Sequence, residues 1–183
     1  MPNITEVKEE IEIPDNIEVS IEGKIIHMKG EKGSLSKMIS HPKIAIKVNN
    51  KIVELSISKS THRKEKALLG TFKAHIRNMI KGVTEGFEYK MKTVYSHFPI
   101  KTSVEGNEFI IQNFLGERAP RKAKILENVT VETKDDDITV SGIDKEKVGQ
   151  TVANIERATK VKNRDVRVFQ DGVYLIRKEA KKW

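Results

Sequence analysis

Ser20-Ile21-Glu22-Gly23 returns 83 residues further on as Ser103-Val104-Glu105-Gly106. The likeness runs outward from there. Gly33 has its counterpart in Gly116 at the same spacing. Ile44, Ile46, Val53, Leu55 and Ser56 return at a spacing of 85 as Val129, Val131, Ile138, Val140 and Ser141. Gly70, Ala74 and Ile76 return at 79 as Gly149, Ala153 and Ile155. The fall from 85 to 79 puts about six extra residues into the first copy, between its last strand and its helix. They are the basic stretch Lys59-Ser-Thr-His-Arg-Lys-Glu-Lys66. Two copies are too few to stack as a solenoid, so the pattern reads as two similar domains in tandem.

Each copy runs strands first, then one helix. Glu18-Val19-Ser20-Ile21-Glu22 alternates polar and apolar before Gly23 turns the chain. Lys24 to Lys29 follows and ends at Gly30-Glu31-Lys32-Gly33. Asn49-Asn50 between Ile44-Ala-Ile-Lys-Val48 and Ile52-Val-Glu-Leu-Ser-Ile57 is a hairpin signal. Val129, Val131 and Thr133 lead through Lys134-Asp-Asp-Asp137 into Ile138-Thr-Val140. Leu68, Phe72, Ile76, Met79 and Val83, at spacings of 4, 4, 3 and 4, share one helical face, and Gly82 and Gly86 mark that helix's end. Asp144 caps a second helix with Val148, Val152 and Ile155 on its apolar stripe. One apolar stripe per helix must cover one face of a sheet. The fold class is therefore α+β: two tandem duplicated domains, each an antiparallel-rich sheet covered by one long helix. The domains are read as residues 1–84 and 85–183. Phe87 to Ile100, alternating through Tyr89, Met91 and Val94, reads as a long strand shared between them and holding them rigidly.

Composition narrows the function. Apolar residues make up 37% of the 183 and charged ones 33%, too ordered a mixture for a disordered chain. Cysteine is absent, which excludes a disulfide scaffold, thiolate metal sites and a cysteine nucleophile, and fits a reducing cytoplasm. No run of 18 apolar residues occurs, so no membrane partner is expected. The acidic start MPNITEVKEEIEIP does not read as a secretory signal. Lys+Arg is 34 against 26 Asp+Glu, a net charge of +8. Residues 1–18 carry −5, while residues 157–183 carry +6. A basic field focused on part of a surface attracts polyanions, nucleic acid above all.

Catalytic chemistry is hard to place. His27, His41, His62, His75 and His97 include no pair at i, i+4 and no HExxH, and His75 and His97 read as structural. Asp135-Asp136-Asp137 sits at a hairpin tip without the further spaced oxygen ligands of a calcium loop. GxSxG, the P-loop and GxGxxG are all missing. Gly30-Glu-Lys-Gly33 matches the GxxG of KH domains only formally, because that loop joins helices and this one follows a strand. No enzyme activity, cofactor, metal or small-molecule substrate is expected.

Two basic clusters remain. Gly116-Glu-Arg-Ala-Pro-Arg-Lys-Ala-Lys124 carries Arg118, Arg121, Lys122 and Lys124, where the first copy's Ser34 to Lys43 has only Lys37 and Lys43. The C-terminal stretch carries Lys160, Lys162, Arg164, Arg167, Arg177, Lys178, Lys181 and Lys182. Asp171-Gly172 reads as a two-residue hairpin turn pairing Phe169 with Tyr174, Val168 with Leu175 and Val166 with Arg177. On that reading Val166, Val168 and Leu175 face the core. Arg167, Phe169, Tyr174 and Lys178 face outward and offer RNA stacking surfaces beside phosphate contacts.

Several passages are similar to one known family. They are Asn78-Met-Ile-Lys-Gly-Val-Thr84, Tyr89-Lys-Met-Lys92, Val94-Tyr-Ser-His-Phe-Pro-Ile100, Asn113-Phe-Leu-Gly-Glu117 and Arg167-Val-Phe-Gln-Asp-Gly-Val-Tyr-Leu175 with Lys178. Nearly the whole chain resembles the L-six family of large-ribosomal-subunit proteins, in its archaeal and eukaryotic branch. The end at Trp183, without a long basic extension, leans towards an archaeal member. The resemblance implies a structural protein of the large ribosomal subunit in the cytoplasm. It implies contact with 23S-type large-subunit rRNA near the stalk base and the sarcin–ricin loop, where translation factors act. It also implies protein neighbours that include those of the stalk base, and a second domain that makes much of the rRNA contact. The alternatives are a free regulatory RNA-binding protein outside the ribosome and an RNA-cleaving enzyme, which would need a base or metal site.

Overall fold

The computed structural model describes residues 7–42, 44–49, 52–57 and 63–180. The chain divides into two compact units, 1–84 and 85–183. Thirteen strands and two α-helices are assigned among the described residues.

The first unit contains β1 (Val7–Glu12), β2 (Glu18–Glu22), β3 (Ile25–Gly30), β4 (Gly33–Met38), β5 (Ile44–Asn49), β6 (Ile52–Ile57) and α1 (Arg63–Thr84). The second contains β7 (Phe87–Val94), β8 (Lys101–Glu105), β9 (Glu108–Gln112), β10 (Arg121–Lys124), β11 (Val129–Lys134), β12 (Asp137–Gly142), α2 (Lys145–Ala158) and β13 (Gly172–Ala180). The sheets run β2-β3-β4 and β1-β6-β5 in one, β8-β9-β10 and β11-β12-β7-β13 in the other. Every recorded pairing is antiparallel. The duplication is thus visible as topology, with β13 added at one edge of the second copy. Each unit has two sheets rather than one.

Period-two alternation decides which faces are buried. Val53, Leu55 and Ile57 of β6 are buried, and Glu54 and Ser56 between them are not. On β7, Phe87, Tyr89, Met91 and Thr93 are buried while Lys90 and Lys92 are exposed. α1 buries Leu69, Ile76, Met79 and Val83, with Phe72 and Ile80 partly buried against the same core. Leu69 therefore takes the inner place that the spacing assigns to Leu68. The second core gathers Phe109, Ile111, Phe114, Ile138, Val140, Val148 and Ile155. Asp144 caps α2 as expected, its carboxylate accepting from the Glu146 N–H at 2.9 Å.

Two expectations change. Phe87–Val94 is not shared: β7 pairs with β12 and β13, both in the second unit. The first copy's extra residues lengthen its helix in part, since α1 starts at Arg63, three residues before Lys66, the counterpart of the first α2 residue Lys145. The rest of that stretch, residues 59–62, and Asn50, Lys181 and Lys182 lie outside the described residues.

One close approach fixes α1 against its sheet. A Cβ on Gly30 would lie 2.8 Å from the Val83 carbonyl oxygen, which accepts the Lys32 N–H at 3.0 Å. The obstacle is backbone and cannot rotate away. Gly30→Ala is expected to cost about 1–3 kcal/mol through overpacking, read as a lower urea midpoint at unchanged m-value.

Candidate nucleic-acid interface

β10 is an edge strand, and its side chains alternate: Ala123 is buried between exposed Lys122 and Lys124. Arg121 turns back into the protein. Its Nε and Nη2 donate to the two Glu117 carboxylate oxygens at 2.8 and 2.6 Å. Its Nη1 donates to the carbonyl oxygens of Ala158 and Lys160 at 2.9 and 3.2 Å. The guanidinium also lies 4.1 Å from the centre of the Phe114 ring. α2 ends at Ala158, so this cation satisfies the last helical carbonyl, that of Ala158, and the Lys160 carbonyl just beyond the cap, at the negative end of the helix dipole. The hydrogen bond from Arg121, assisted by its charge and that of Arg164, holds the Glu117 carboxyl below its ordinary range.

That one side chain joins the two basic clusters, which lie nearly forty residues apart in sequence. Arg118, Lys124, Lys160 and Lys162 are exposed and hold no side-chain ion pair among the described residues. Lys122 donates to Glu108 at 2.7 Å, which raises its pKa. The pair is exposed, and such surface pairs exchange readily for another anion.

The second cluster is built differently from the hairpin read in the sequence. Residues 163–169 form a tight loop in which the Asp165 carbonyl accepts from the N–H groups of Val168 and Phe169, at 3.1 and 2.9 Å. Arg167 folds onto the Asp165 carboxylate, donating from Nε at 3.2 Å and Nη2 at 3.0 Å. Asp171 is no turn residue. It is buried, and it accepts from the Ser96 hydroxyl at 3.0 Å. The chain then enters β13, which pairs along β7 with Tyr174 opposite Lys92 and Leu175 opposite Met91. An eight-residue edge outcompetes a hairpin with a loop this tightly tied.

The expected outward face is consequently split. Phe169 packs against the core with the Arg164 guanidinium 4.8 Å from its ring centre. Val166 and Val168, expected inside, are 61% and 72% exposed. A bulge between Leu175 and Arg177 breaks the alternation, so Arg177 lies opposite Lys90 while the Lys178 ammonium sits 5.9 Å from the Tyr89 ring centre. Tyr174 does stay outside, at 46% exposure. Its hydroxyl donates to the Gln170 carbonyl at 3.0 Å, and its ring rests over Gly172. The ring is thus held close to Gly172 with its hydroxyl anchored, and nearly half of the residue stays exposed. Tyr174→Ala is expected to cost about 1–3 kcal/mol of rRNA-fragment affinity if a base stacks there, with an unaltered salt slope. A titration at several salt concentrations checks both parts.

The family model for ribosomal protein L6 matches twice, over residues 13–86 and 98–172. The chain belongs to the ribosomal protein L6 family. The two matches fall on the two units, so the family's own duplication is the one seen here. The chain is 48% identical over 183 residues, 99% of each sequence, to the large ribosomal subunit protein uL6 of Methanococcus vannielii. It is 50% identical over 175 residues to that of Methanobrevibacter smithii, covering 94% of this chain and 97% of the relative. It is 49% identical over 176 residues to that of Methanothrix thermoacetophila, covering 96% and 99%. All three are archaeal, on the side of the L6 family that the resemblance pointed to.

Lys90 and Lys92 belong with the basic surface and escaped the sequence reading. Register places them on the outer face of β7 beside Arg177 and Tyr174. Alternation against buried Tyr89 and Met91 was the available signal. Among the described residues no group of three or more His, Asp or Glu side chains could hold a metal ion, and no helix is long and apolar enough to cross a membrane.

Proposed function

We propose that the chain is a structural constituent of the large ribosomal subunit in the cytoplasm, structural rather than catalytic as its family is. It binds 23S-type rRNA chiefly through the second unit, near the stalk base and factor-binding region. Neighbouring large-subunit proteins, including those of the stalk base, are its other partners. The observation that carries the rRNA contact is the Arg121 side chain. By bonding Glu117 and the carbonyls of Ala158 and Lys160, it sets the loop of Arg118 and the strand of Lys122 and Lys124 beside Lys160, Lys162 and Arg164.

The mechanism is phosphate neutralisation on a rigid support. Exposed Lys and Arg displace condensed counterions, and Tyr174, Val166 and Val168 offer apolar surface to unstacked bases or sugars. Lys90, Lys92 and Arg177 extend the field across the outer face of the β7–β13 pair. The test is sedimentation of cell extract through a high-salt sucrose gradient. Retention in the large-subunit peak, with ultraviolet crosslinks to rRNA mapping to residues 118–124 and 160–178, supports the reading. Release to the top of the gradient with specific RNA still bound favours a free regulatory protein instead.

A further inference from the structure

The duplication leaves one position filled in the second copy and open in the first. β7 meets β12 through Met91 opposite Ile138 and Tyr89 opposite Val140. β1 meets β6 through Ile11 opposite Val53 and Glu9 opposite Leu55. Ile138 and Val140 are the repeat counterparts of Val53 and Leu55. Met91 therefore corresponds to Ile11, Lys90 to Glu10 and Lys92 to Glu12. On the side of β7 away from β12 lies β13. On the side of β1 away from β6, no strand is paired among the described residues. Such an edge presents alternate backbone N–H and C=O groups outward, ready to pair with another chain.

The helix beside the slot repeats the comparison. In the second unit, Glu156 of α2 accepts the Leu175 N–H at 2.9 Å, and Thr159 accepts the Val173 N–H at 3.1 Å. The helix thus grips the added strand by its backbone. The counterparts at the repeat spacing of 79 are Arg77 and Ile80. Together with Lys81 they line a groove against Glu10, Ile11, Glu12 and Pro14. A strand entering there would meet a guanidinium, so its carbonyls would be engaged rather than its N–H groups.

Charge selects the occupant. Glu10 and Glu12 are exposed on the outer face of β1 and hold no ion pair among the described residues. In the second unit the same positions are Lys90 and Lys92, opposite Arg177 and Tyr174. Residues 1–18 carry −5, so the outer face of β1 disfavours phosphate, while Arg77 and Lys81 stand on the helix side of the groove. We propose that the outer edge of β1 is a docking site for an extended basic segment of another protein, added as an antiparallel strand. Its alternate residues facing Glu10 and Glu12 are Lys or Arg, and the residue between them, beside Ile11, is apolar. This is strand addition, with main-chain bonds giving affinity and alternate side chains giving specificity. The site belongs to the first unit.

The test uses the full chain and an eight-residue peptide of alternating Lys and Val. Amide exchange across residues 8–12 is expected to slow at least tenfold with the peptide present. An alternating Glu and Val peptide should have no such effect. Glu10→Lys with Glu12→Lys should weaken peptide binding at least tenfold by fluorescence anisotropy, with circular dichroism confirming the fold. A peptide N-methylated at alternate residues on its pairing edge tests the same geometry with the chain unaltered, and its binding should be lost. In isolated large subunits the same amides should exchange more slowly than in the free protein. Equal binding of the N-methylated peptide would overturn the proposal by showing attraction through charge alone. Equal exchange in subunits and free protein, or crosslinks from residues 8–12 to rRNA, would overturn it too. So would self-association through this edge in sedimentation equilibrium, which would make a second copy the occupant.

Discussion

Arg121→Ala is expected to destabilise the second unit by about 2–4 kcal/mol, more than the loss of any exposed cation in the same cluster. Four hydrogen bonds leave with the side chain, two to Glu117 and one each to the carbonyls of Ala158 and Lys160. The ring of Phe114, itself fully buried, loses the cation above it. The Arg121 side chain is only 22% exposed, so the acceptors it abandons are not freely rehydrated. Arg121→Lys keeps the charge but not the planar fork, and should recover less than half of the loss. Chemical denaturation of the two variants and of Arg118→Ala measures the difference, and near-equal midpoints would mean that Arg121 is merely another surface cation. The pH dependence has a defined sign. Arg121 depresses the Glu117 pKa in the folded state. The stabilisation is therefore present above the ordinary carboxylate range and lost as pH falls through the lower folded value. The Arg121→Ala variant should lose that part of its acid sensitivity.

Arg121 also shows what the sequence could and could not reveal. Its residue type and its neighbours Arg118, Lys122 and Lys124 place it in a basic cluster. Nothing local says that it faces the end of a helix nearly forty residues later. The duplicated topology was legible because it rests on local periodicities: alternation along β6 and β12, spacings of three and four along α1 and α2, and a capping Asp144. Those signals depend only on the chain's immediate neighbours. The Asp171-Gly172 reading failed for the opposite reason. Its turn chemistry was sound, but the buried bond from Ser96 to Asp171 and the free edge of β7 are tertiary facts, and they recruited the segment elsewhere. Phe169 and Tyr174 then parted company, one ring to the core and one to the surface. Lys90 and Lys92 were overlooked because β7 reads as a hydrophobic strand first. Their place in the basic surface shows only when β13 brings Tyr174 and Arg177 alongside.

Removing Lys124, Lys160 and Lys162 together should flatten the logarithmic salt dependence of rRNA-fragment binding by about two to three, at roughly 0.7–0.9 for each phosphate contact. The same change corresponds to about a 100-fold loss of affinity at 0.15 M salt. These three are chosen because they are exposed and hold no ion pair among the described residues, so alanine costs the fold little. Arg121, Arg164 and Arg167 are left in place because each is engaged on the protein itself: on Glu117, over Phe169 and on Asp165. Net charge alone would also weaken binding, and a matched control separates the two effects. Lys24, Lys47 and Lys66 are exposed in the first unit, and their triple alanine variant changes the net charge equally. A local contact predicts a slope change below one for that control. Equal flattening in both variants would mean that the long-range field attracts the RNA and that the second unit holds no privileged surface. A larger change in the control would move the contact to the first unit, where the basic insertion of the duplicated copy lies. The fragment is titrated between 0.05 and 0.5 M salt (a range of about one decade), wide enough for a slope difference of two to stand clear of error.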